Sequence, residues 1–567
     1  MARRKRDSRG RLGLFAGAAV AALLAFPGVA SATVTSSVNA AGALTVTTDA
    51  ADTVEITSDA NGDVKINGGN PGGGAAVAAS SITSIQVTGD GGNNILDLSG
   101  VSDPAFGVQT PVTVDGGGGN DVITGSKLAD LLKGGEGHDR IIGDDNPLNT
   151  FDDMRGEGGD DVMVWNGGDD DDINEGGPGH DTSEVNGGGK EQFKVAPHPD
   201  PLKPGRVLFE REQPDQSFLA PFKVDISDDT ERLDLNAAGG EDFISAAAGL
   251  AALQFALDIE GGDGNDVIDG SDGADQIDAG AGDDQIAADD NPLFTQDNVL
   301  GGSGNDTMTW NPGDDDDINE GGPDNDTVVV NGGGKEKFEV TPSATPGRVA
   351  FNRVQPNSTF LAPFSIDIGT SENLVLNAGD DNDVIKGSKG LAGLIDSTFN
   401  GQDGKDQIKG TDGEDLLTGG KGSDLIRSFD GAADQVECDS GFDVAFVDRR
   451  DTVRGCEIVL GGALKVKVSA KSVNVAGGVA ALTLRCVATK GCSGLALLRY
   501  DGKKIAGAKF KMGKKKTQTV RLKLNKRGLR LLAKAPKKKG LKVQLRIDAK
   551  DAAKNGWRTD TRLQLKP

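Results

Sequence analysis

Residues 116–142 read GGGGNDVIT, GSKLADLLK and GGEGHDRII, three consecutive nine-residue units with a glycine-rich opening, aspartate at the sixth position and isoleucine or leucine at the eighth. The unit runs three times again over 261–287 and three times over 401–427. Its sixth positions are Asp121, Asp130, Asp139, Asp266, Asp275, Asp284, Asp406, Asp415 and Asp424. A glycine turn, a carboxylate and an inward aliphatic repeating at fixed spacing describe a stacked solenoid, each unit supplying one turn and one short strand. Turn formation by Asp and Gly alone does not explain why an aliphatic follows each of these aspartates by two residues.

The surrounding sequence fits that reading. Residues 33–114 alternate polar and apolar in short runs such as Val54-Glu55-Ile56 and Val64-Lys65-Ile66, which predicts strands joined by tight turns. A degenerate unit at 89–97 carries Asn94 where the aspartate belongs and leads into the solenoid. A longer repeat of about 145 residues lies over the nonamers: GDDDDINEGGP at 168–178 returns at 313–323, NGGGKE recurs at 186 and 331, FLAPF at 218 and 360, and Trp165 corresponds to Trp310. The chain therefore divides into a leader (1–32), an N-terminal strand region (33–114), a first long repeat (115–260), a second (261–378), a partial third with a cap (379–462) and a last module (463–567). Asn174 and Ser183 occupy eighth positions, so 165–185 and 310–330 are expected to be irregular or bulged coils whose extra aspartates serve solvation or weak cation binding.

Charge separates the chain into two bodies. Residues 1–462 hold 31 Lys+Arg against 83 Asp+Glu, a net of −52, whereas 463–567 hold 29 against 4, a net of +25. The acidic body repels itself unless cations neutralise it, and the basic end seeks anions. Aromatics make up only 4% of the chain, which excludes a large aromatic core and favours thin stacked layers. Arg3, Arg4, Lys5, Arg6, Arg9 and Arg11, an apolar run over 12–30 and an Ala-Ser-Ala site at 30–32 read as an export signal. Four cysteines in an exported chain favour disulfides. Cys438 and Cys456 are 18 residues apart, two nonamers, which stacks them in adjacent layers, and Cys486 and Cys492 are placed to close a short loop. Alternating segments in 463–567 predict a small β-sandwich, with a helical turn at 526–534.

The repeat carries metal chemistry. Glycines at the second and fourth positions let a tight turn aim carbonyl oxygens inward; those of the candidate set are Gly117, Gly119, Gly135, Gly137, Gly262, Gly264, Gly280, Gly282, Gly404, Gly420 and Gly422. Calcium takes six to eight oxygen ligands at about 2.3–2.6 Å, more than one such turn supplies, so a site is shared between stacked turns. With one nonamer per half-turn, unit n lies beside unit n+2, pairing Asp121 with Asp139, Asp266 with Asp284, Asp406 with Asp424 and Asp415 with Asp434. Asp130 and Asp275 fall on the opposite edge beside poorer units, and Asp306 completes the candidate carboxylates. Stacked and unpaired, these groups oppose folding, so several calcium ions become part of the folding energy.

The units GGEGHDRII at 134–142 and GGDGNDVID at 261–269 match at every defined position the nonapeptide of the hemolysin-type, or RTX, calcium-binding repeat proteins, which this chain resembles from roughly 89 to 457. The resemblance implies a parallel β-roll, calcium held between successive turns, and action outside the cell. Many such proteins are exported by a C-terminal signal, unlike the N-terminal one read here, and several carry a catalytic domain. His138, His180 and His198 are the chain's histidines, none in a metalloprotease motif, and neither a nucleophile elbow nor a P-loop occurs. The expected fold is thus all-β, a parallel β-roll or β-helix solenoid followed by a small C-terminal β-sandwich. The expected function is that of an extracellular calcium-binding structural or adhesive protein, secreted or held at the cell surface, with the basic module on anionic cell-surface polymers. No enzymatic activity, nucleic-acid partner or transmembrane segment in the mature chain is expected; the alternative is a secreted polysaccharide-active enzyme on a β-helix.

Overall fold

The structure, a computed structural model, describes residues 33–567 except 108, 145–150, 168–170, 213–221, 289–295, 313, 315, 355–363, 449, 462–465, 469–470, 487–490, 514, 537–538 and 552–555. The export signal expected at 1–32 lies outside the described residues. Nearly all regular structure is β-strand, as the alternating pattern predicts. Strands from successive units alternate between two parallel sheets, which close face to face as a β-roll. The first sheet stacks Asp130–Glu136, Asp153–Gly158 and Asp172–Glu175 in register. The second stacks Val122–Thr124, Arg140–Ile142, Val162–Asn166 and Thr182–Asn186.

The eighth-position aliphatics form the core. Ile123, Leu132, Ile141, Ile268, Ile277, Ile286, Ile408, Leu417 and Ile426 are all buried between the sheets. Each contributes about 1.5–3 kcal/mol on burial, and the layers are thin enough to need no large aromatic. The turns stack as closely as the strands. Gly137 has φ +141°, and a Cβ there would lie 1.8 Å from the carbonyl oxygen of Gly119, so handedness and contact both demand glycine.

Two insertions, one in each long repeat, thicken the roll. In the first, Gln192–Pro197, Val207–Glu212 and Phe222–Ile226 form an antiparallel meander in the first sheet. It sits between Asp172–Glu175, which pairs with Phe222–Ile226, and Phe243–Ala246, which pairs with Gln192–Pro197. In the second, Lys337–Pro342, Val349–Arg353 and Phe364–Gly369 do the same in the second sheet, between Asp317–Glu320 and Val384–Gly387. The extra strands are held by stacked aromatics. Trp165 stacks on Phe222 with centroids 3.7 Å apart, and Trp310 on Phe364 at 3.9 Å.

The coils expected to be irregular at 165–185 and 310–330 are regular where they are described. Asp172–Glu175 and Thr182–Asn186, like Asp317–Glu320 and Thr327–Asn331, lie in the parallel ladders. The polar layer is filled rather than bulged: Asn174 and Ser183 are fully buried and Asn174 Nδ2 donates to Ser183 Oγ at 2.8 Å. The hydroxyl satisfies the amide's donor, while Asn174 Oδ1 is buried without a hydrogen-bond partner, so the layer retains part of the cost of a buried amide. One hydrophobic cluster ends at Met154 and Met163, and the next begins at Trp165 and Val185.

The N-terminal end of the roll is closed by Thr35–Val38, which pairs antiparallel with Ala43–Thr47. At the other end Gln435–Glu437 pairs with Thr452–Arg454, and the Cys438–Cys456 disulfide links the residues just beyond. The last module has its own core. Val479–Cys486 pairs antiparallel with Val466–Val468 and Thr517–Lys523. Cys492–Tyr500 lies between Lys503–Met512 and Leu541–Asp551, and Gly556–Lys566 follows. Ser472–Ala476 touches both sheets, giving the sandwich a barrel-like closure. The Cys486–Cys492 bond forms, and Lys526–Lys534 is a helix capped by Asn525, whose side chain accepts from the Gly528 amide at 2.9 Å. Among the described residues no helix is long and apolar enough to cross a membrane.

The buried polar layer gives a measurable expectation. Ser183→Val alone leaves the Asn174 amide without its hydroxyl and should destabilise the roll by about 1–3 kcal/mol, whereas Asn174→Leu combined with Ser183→Val should recover most of it. Urea unfolding midpoints of the two variants check this.

Candidate metal centre

The sixth-position aspartates begin each strand, and their geometry follows from the stacking. The backbone N–H of Asp121 donates to Asp139 Oδ1 at 2.7 Å, that of Asp139 to Asp161 Oδ1 at 2.7 Å, that of Asp161 to Asp181 Oδ1 at 2.8 Å, and that of Asp181 to Glu231 at 2.7 Å. A second ladder runs Glu191, Asp242, Asp266, Asp284, Asp306, Asp326 and Glu372. A third runs Glu336, Asp383, Asp406, Asp424, Asp443 and Glu457. One carboxylate oxygen is therefore spoken for by the preceding coil.

The other oxygen is not. Oδ2 of Asp121, Asp139, Asp161, Asp181, Asp242, Asp266, Asp284, Asp306, Asp326, Asp383, Asp406, Asp424 and Asp443 is buried without a hydrogen-bond partner. Native proteins leave few buried polar atoms unsatisfied, and a rank of them at strand spacing calls for a common partner. The oxygens face backbone carbonyls of the next coil. A Cβ placed on Gly134 would stand 2.4 Å from Asp139 Oδ2 and 2.7 Å from the Gly156 carbonyl oxygen, and one on Gly401 would stand 2.7 Å from both Asp406 Oδ2 and the Gly419 carbonyl. Hard anionic and carbonyl oxygens, drawn from two coils, are the donor set that calcium takes.

Burial, reinforced by neighbouring carboxylates, pushes these groups upward: Asp121 to about 6, Asp161, Asp284 and Asp424 to about 7, and Asp383 to about 8. Without a cation the folded chain holds protons that the unfolded chain releases.

The opposite edge is built differently. There the second position of the nonamer is Ser126, Ser271 or Thr411. The Asp130 carboxylate accepts from the Ser126 hydroxyl at 2.7 Å and from its amide. Asp275 accepts from both groups of Ser271, and Asp415 from both groups of Thr411. Asp130 stacks on Asp152, Asp275 on Asp297 and Asp415 on Asp434. The hydroxyl thus supplies positive dipole where the other edge has only a bare oxygen. Within this edge Asp415, Asp430 and Asp434 bring ligand atoms within 4.8 Å of one another, and Asp434 Oδ2 is buried without a partner.

The two kinds of edge exchange sides at each insertion. The first ladder turns into the second sheet, the second into the first sheet, and the third into the second sheet again. Each carries near its start a residue whose charge is absent or compensated. In the first, the neutral Asn94 stands between Asp52, whose N–H donates to Asn94 Oδ1 at 3.0 Å, and Asp121, to whose Oδ1 the Asn94 N–H donates at 2.6 Å. Glu191 opens the second and pairs with Arg211 at 2.8 Å, both buried; Glu336 opens the third and pairs with Arg353 at 3.2 Å. The guanidinium carbons lie 4.6 Å from the centroids of Phe222 and Phe364. Arginine here does with a covalent cation what an ion does elsewhere in the ladder.

The glycines of the candidate set occupy the stacked turns. Gly117, Gly119, Gly135, Gly137, Gly262, Gly264, Gly280, Gly282, Gly404, Gly420 and Gly422 all have positive φ. The carbonyls of Gly117, Gly262 and Gly280 accept from the amides of Glu136, Ala281 and Ser303 in the next turn. Sequence reasoning missed Asp161, Asp242, Asp326, Asp383 and Asp443, whose units lack the full glycine pattern, and Asp181, whose unit has the glycines but Ser183 in place of the aliphatic. The signal that finds them is an acid two residues before an inward position. His138 and His180 are exposed turn residues, and His198 lies 3.9 Å from Asp225.

A parallel roll with carboxylate ladders along its turns is the architecture of a cation-binding solenoid. Residues 114–146, 258–290 and 396–428 match the family described as RTX calcium-binding nonapeptide repeat (4 copies). The chain thus carries calcium-binding repeats of the RTX type at the three places where the nonamers are most regular. No curated protein matches the chain.

Two outcomes follow from this geometry. In chelator, thermal stability should fall as pH rises from about 4 to 8, because the folded carboxylates titrate above their unfolded values; with millimolar calcium the fall should vanish, since binding requires the deprotonated form. Thermal unfolding followed by circular dichroism at several pH values measures both. Separately, Arg211→Met should cost about 3–5 kcal/mol by leaving Glu191 buried and uncompensated, and Glu191→Gln in the same chain should return part of that loss in chemical denaturation.

Proposed function

We propose that the chain is an exported calcium-binding repeat protein with a structural or adhesive role, whose roll folds as cations fill the carboxylate ladders. The observation that carries this reading is the row of buried Oδ2 atoms without partners, repeated in all three ladders. Asp121, Asp139, Asp266, Asp284, Asp306, Asp406 and Asp424 are its ligands, joined by the ladder members between them and by turn carbonyls. Asp130, Asp275 and Asp415 contribute less, because serine or threonine already satisfies them, though Asp415 keeps Asp430 and Asp434 for company. Calcium would supply charge neutralisation and coordination across coils.

The division of the chain follows the same logic: leader, N-terminal strands, two long repeats, a partial third closed by a disulfide, and the basic module. Disulfides and a leader suit the outside of the cell, where calcium is plentiful. The module's net charge of +25 and its exposed lysines, among them Lys515, Lys516 and Lys523, support docking on anionic surface polymers.

A calcium titration tests the reading. Far-UV circular dichroism should gain β-structure between chelator and millimolar calcium, and Asp139→Asn together with Asp284→Asn should move the midpoint several-fold upward. An unchanged spectrum across that range would sink the proposal.

A further inference from the structure

Over the third repeat the outer face of the second sheet changes character. Lys386, Lys409, Arg427, Phe446 and Leu460 are register neighbours on successive strands, about 4.8 Å apart at the strand spacing. Earlier in the same sheet the outward neighbours are acids, with Asp234 beside Asp258 and Glu260 beside Asp278. On a body of strongly negative charge this is a local reversal of sign.

Lys386 is paired with Glu339 at 3.2 Å, and from Lys409 to Leu460 the column forms one wall of a cleft of about 360 Å³, to which Lys389, Phe429 and Asp430 also contribute. Phe429 is 73% exposed and Phe446 37%. The Arg427 guanidinium carbon lies 5.8 Å from the Phe446 ring centroid, and Lys409 Nζ donates to the Gly387 carbonyl, which fixes its direction. Two open phenyl rings beside three cations are costly to leave in water and match a ligand that is anionic and also has an apolar face.

The backbone narrows the choice. The strands beneath the cleft are interior to the sheet, each paired in parallel on both sides. They have no free main-chain groups for a peptide to join as an added strand, so recognition is by side chains alone. A sugar ring offers a C–H face to phenylalanine and a carboxylate to arginine or lysine, and its hydroxyls suit Asp430 at the cleft wall. Long polyanions are repelled by the acidic flanks, which favours a short bound stretch.

We propose that this cleft on the third repeat binds an acidic saccharide, a uronate with its carboxylate on Lys409 and Arg427 and its ring on Phe429 and Phe446. The site lies on the roll. Lys409, Arg427, Phe429 and Phe446 belong to none of the carboxylate ladders, whereas Thr411 and Asp430 at its wall also stand beside Asp415 on the serine and threonine edge.

Titration calorimetry of the full chain with tetragalacturonate, in millimolar calcium, tests it. The expected result is one-site binding that Lys409→Ala with Arg427→Ala weakens about ten-fold or more, that Phe429→Ala weakens several-fold, and that Lys515→Gln with Lys516→Gln leaves unchanged. Circular dichroism of each variant guards against lost folding, and a variant that keeps its spectrum separates failure of this site from failure of the calcium reading. Binding unaltered by the first two variants, binding lost only with Lys515 and Lys516, or tighter binding of hexaglutamate or oligothymidylate would each overturn the proposal.

Discussion

Parallel stacking places identical residues at one strand spacing from each other, and in this chain the stacked residue at the turn is aspartate. Rows of carboxylates at that distance repel, and burial in the turn wall removes the water that would screen them. The rest of the roll answers that constraint. Glycines with positive φ let the turns approach until carbonyls and carboxylates share one space, and the aliphatic two residues on holds the carboxylate at the strand's start. The acidic body is thus a fold whose sequence regularity creates its own electrostatic problem and a regular place to solve it.

Three solutions occur along the same molecule. On the glycine-type edge one oxygen of each carboxylate is left for a cation. On the other edge Ser126, Ser271 and Thr411 give hydroxyl and amide donors to the carboxylate in their own turn. At the insertions Arg211 and Arg353 bring a guanidinium to the glutamate that opens a new ladder. The insertions are therefore more than extra strands. They change the sheet into which the next ladder turns, and they supply the charge that lets it begin without an ion. The small aromatic content of the chain is concentrated there, stacking each tryptophan on a phenylalanine beneath the guanidinium.

Much of this was legible in the residues. The nonamer with its inward aliphatic specifies a parallel roll, and pairing two units apart follows from one unit per half-turn, as in Asp121 beside Asp139. The same rule fails for Asp130, whose neighbour is Asp152, because the chain between them is four residues longer than two nonamers. Asn174 misled for a different reason: a polar residue at a core position looks like a defect until its partner is known, and Ser183 comes from the opposite sheet. The arginines were illegible because Arg211 and Glu191 meet only through an antiparallel meander that periodicity does not encode. The contrast between the edges was present in the sequence, in serine or threonine against glycine or Gln402 at the second position, but its meaning depends on hydrogen bonds inside the turn.

The exchange of sides at each insertion has a mechanical consequence. Were all the unsatisfied carboxylates on one edge, any imbalance of charge would lengthen that edge alone, and the solenoid would bow like a heated bimetal strip. With the first and third ladders on one side and the second on the other, the bending moments oppose. A change in charge along the ladders then loads both edges of the roll rather than one.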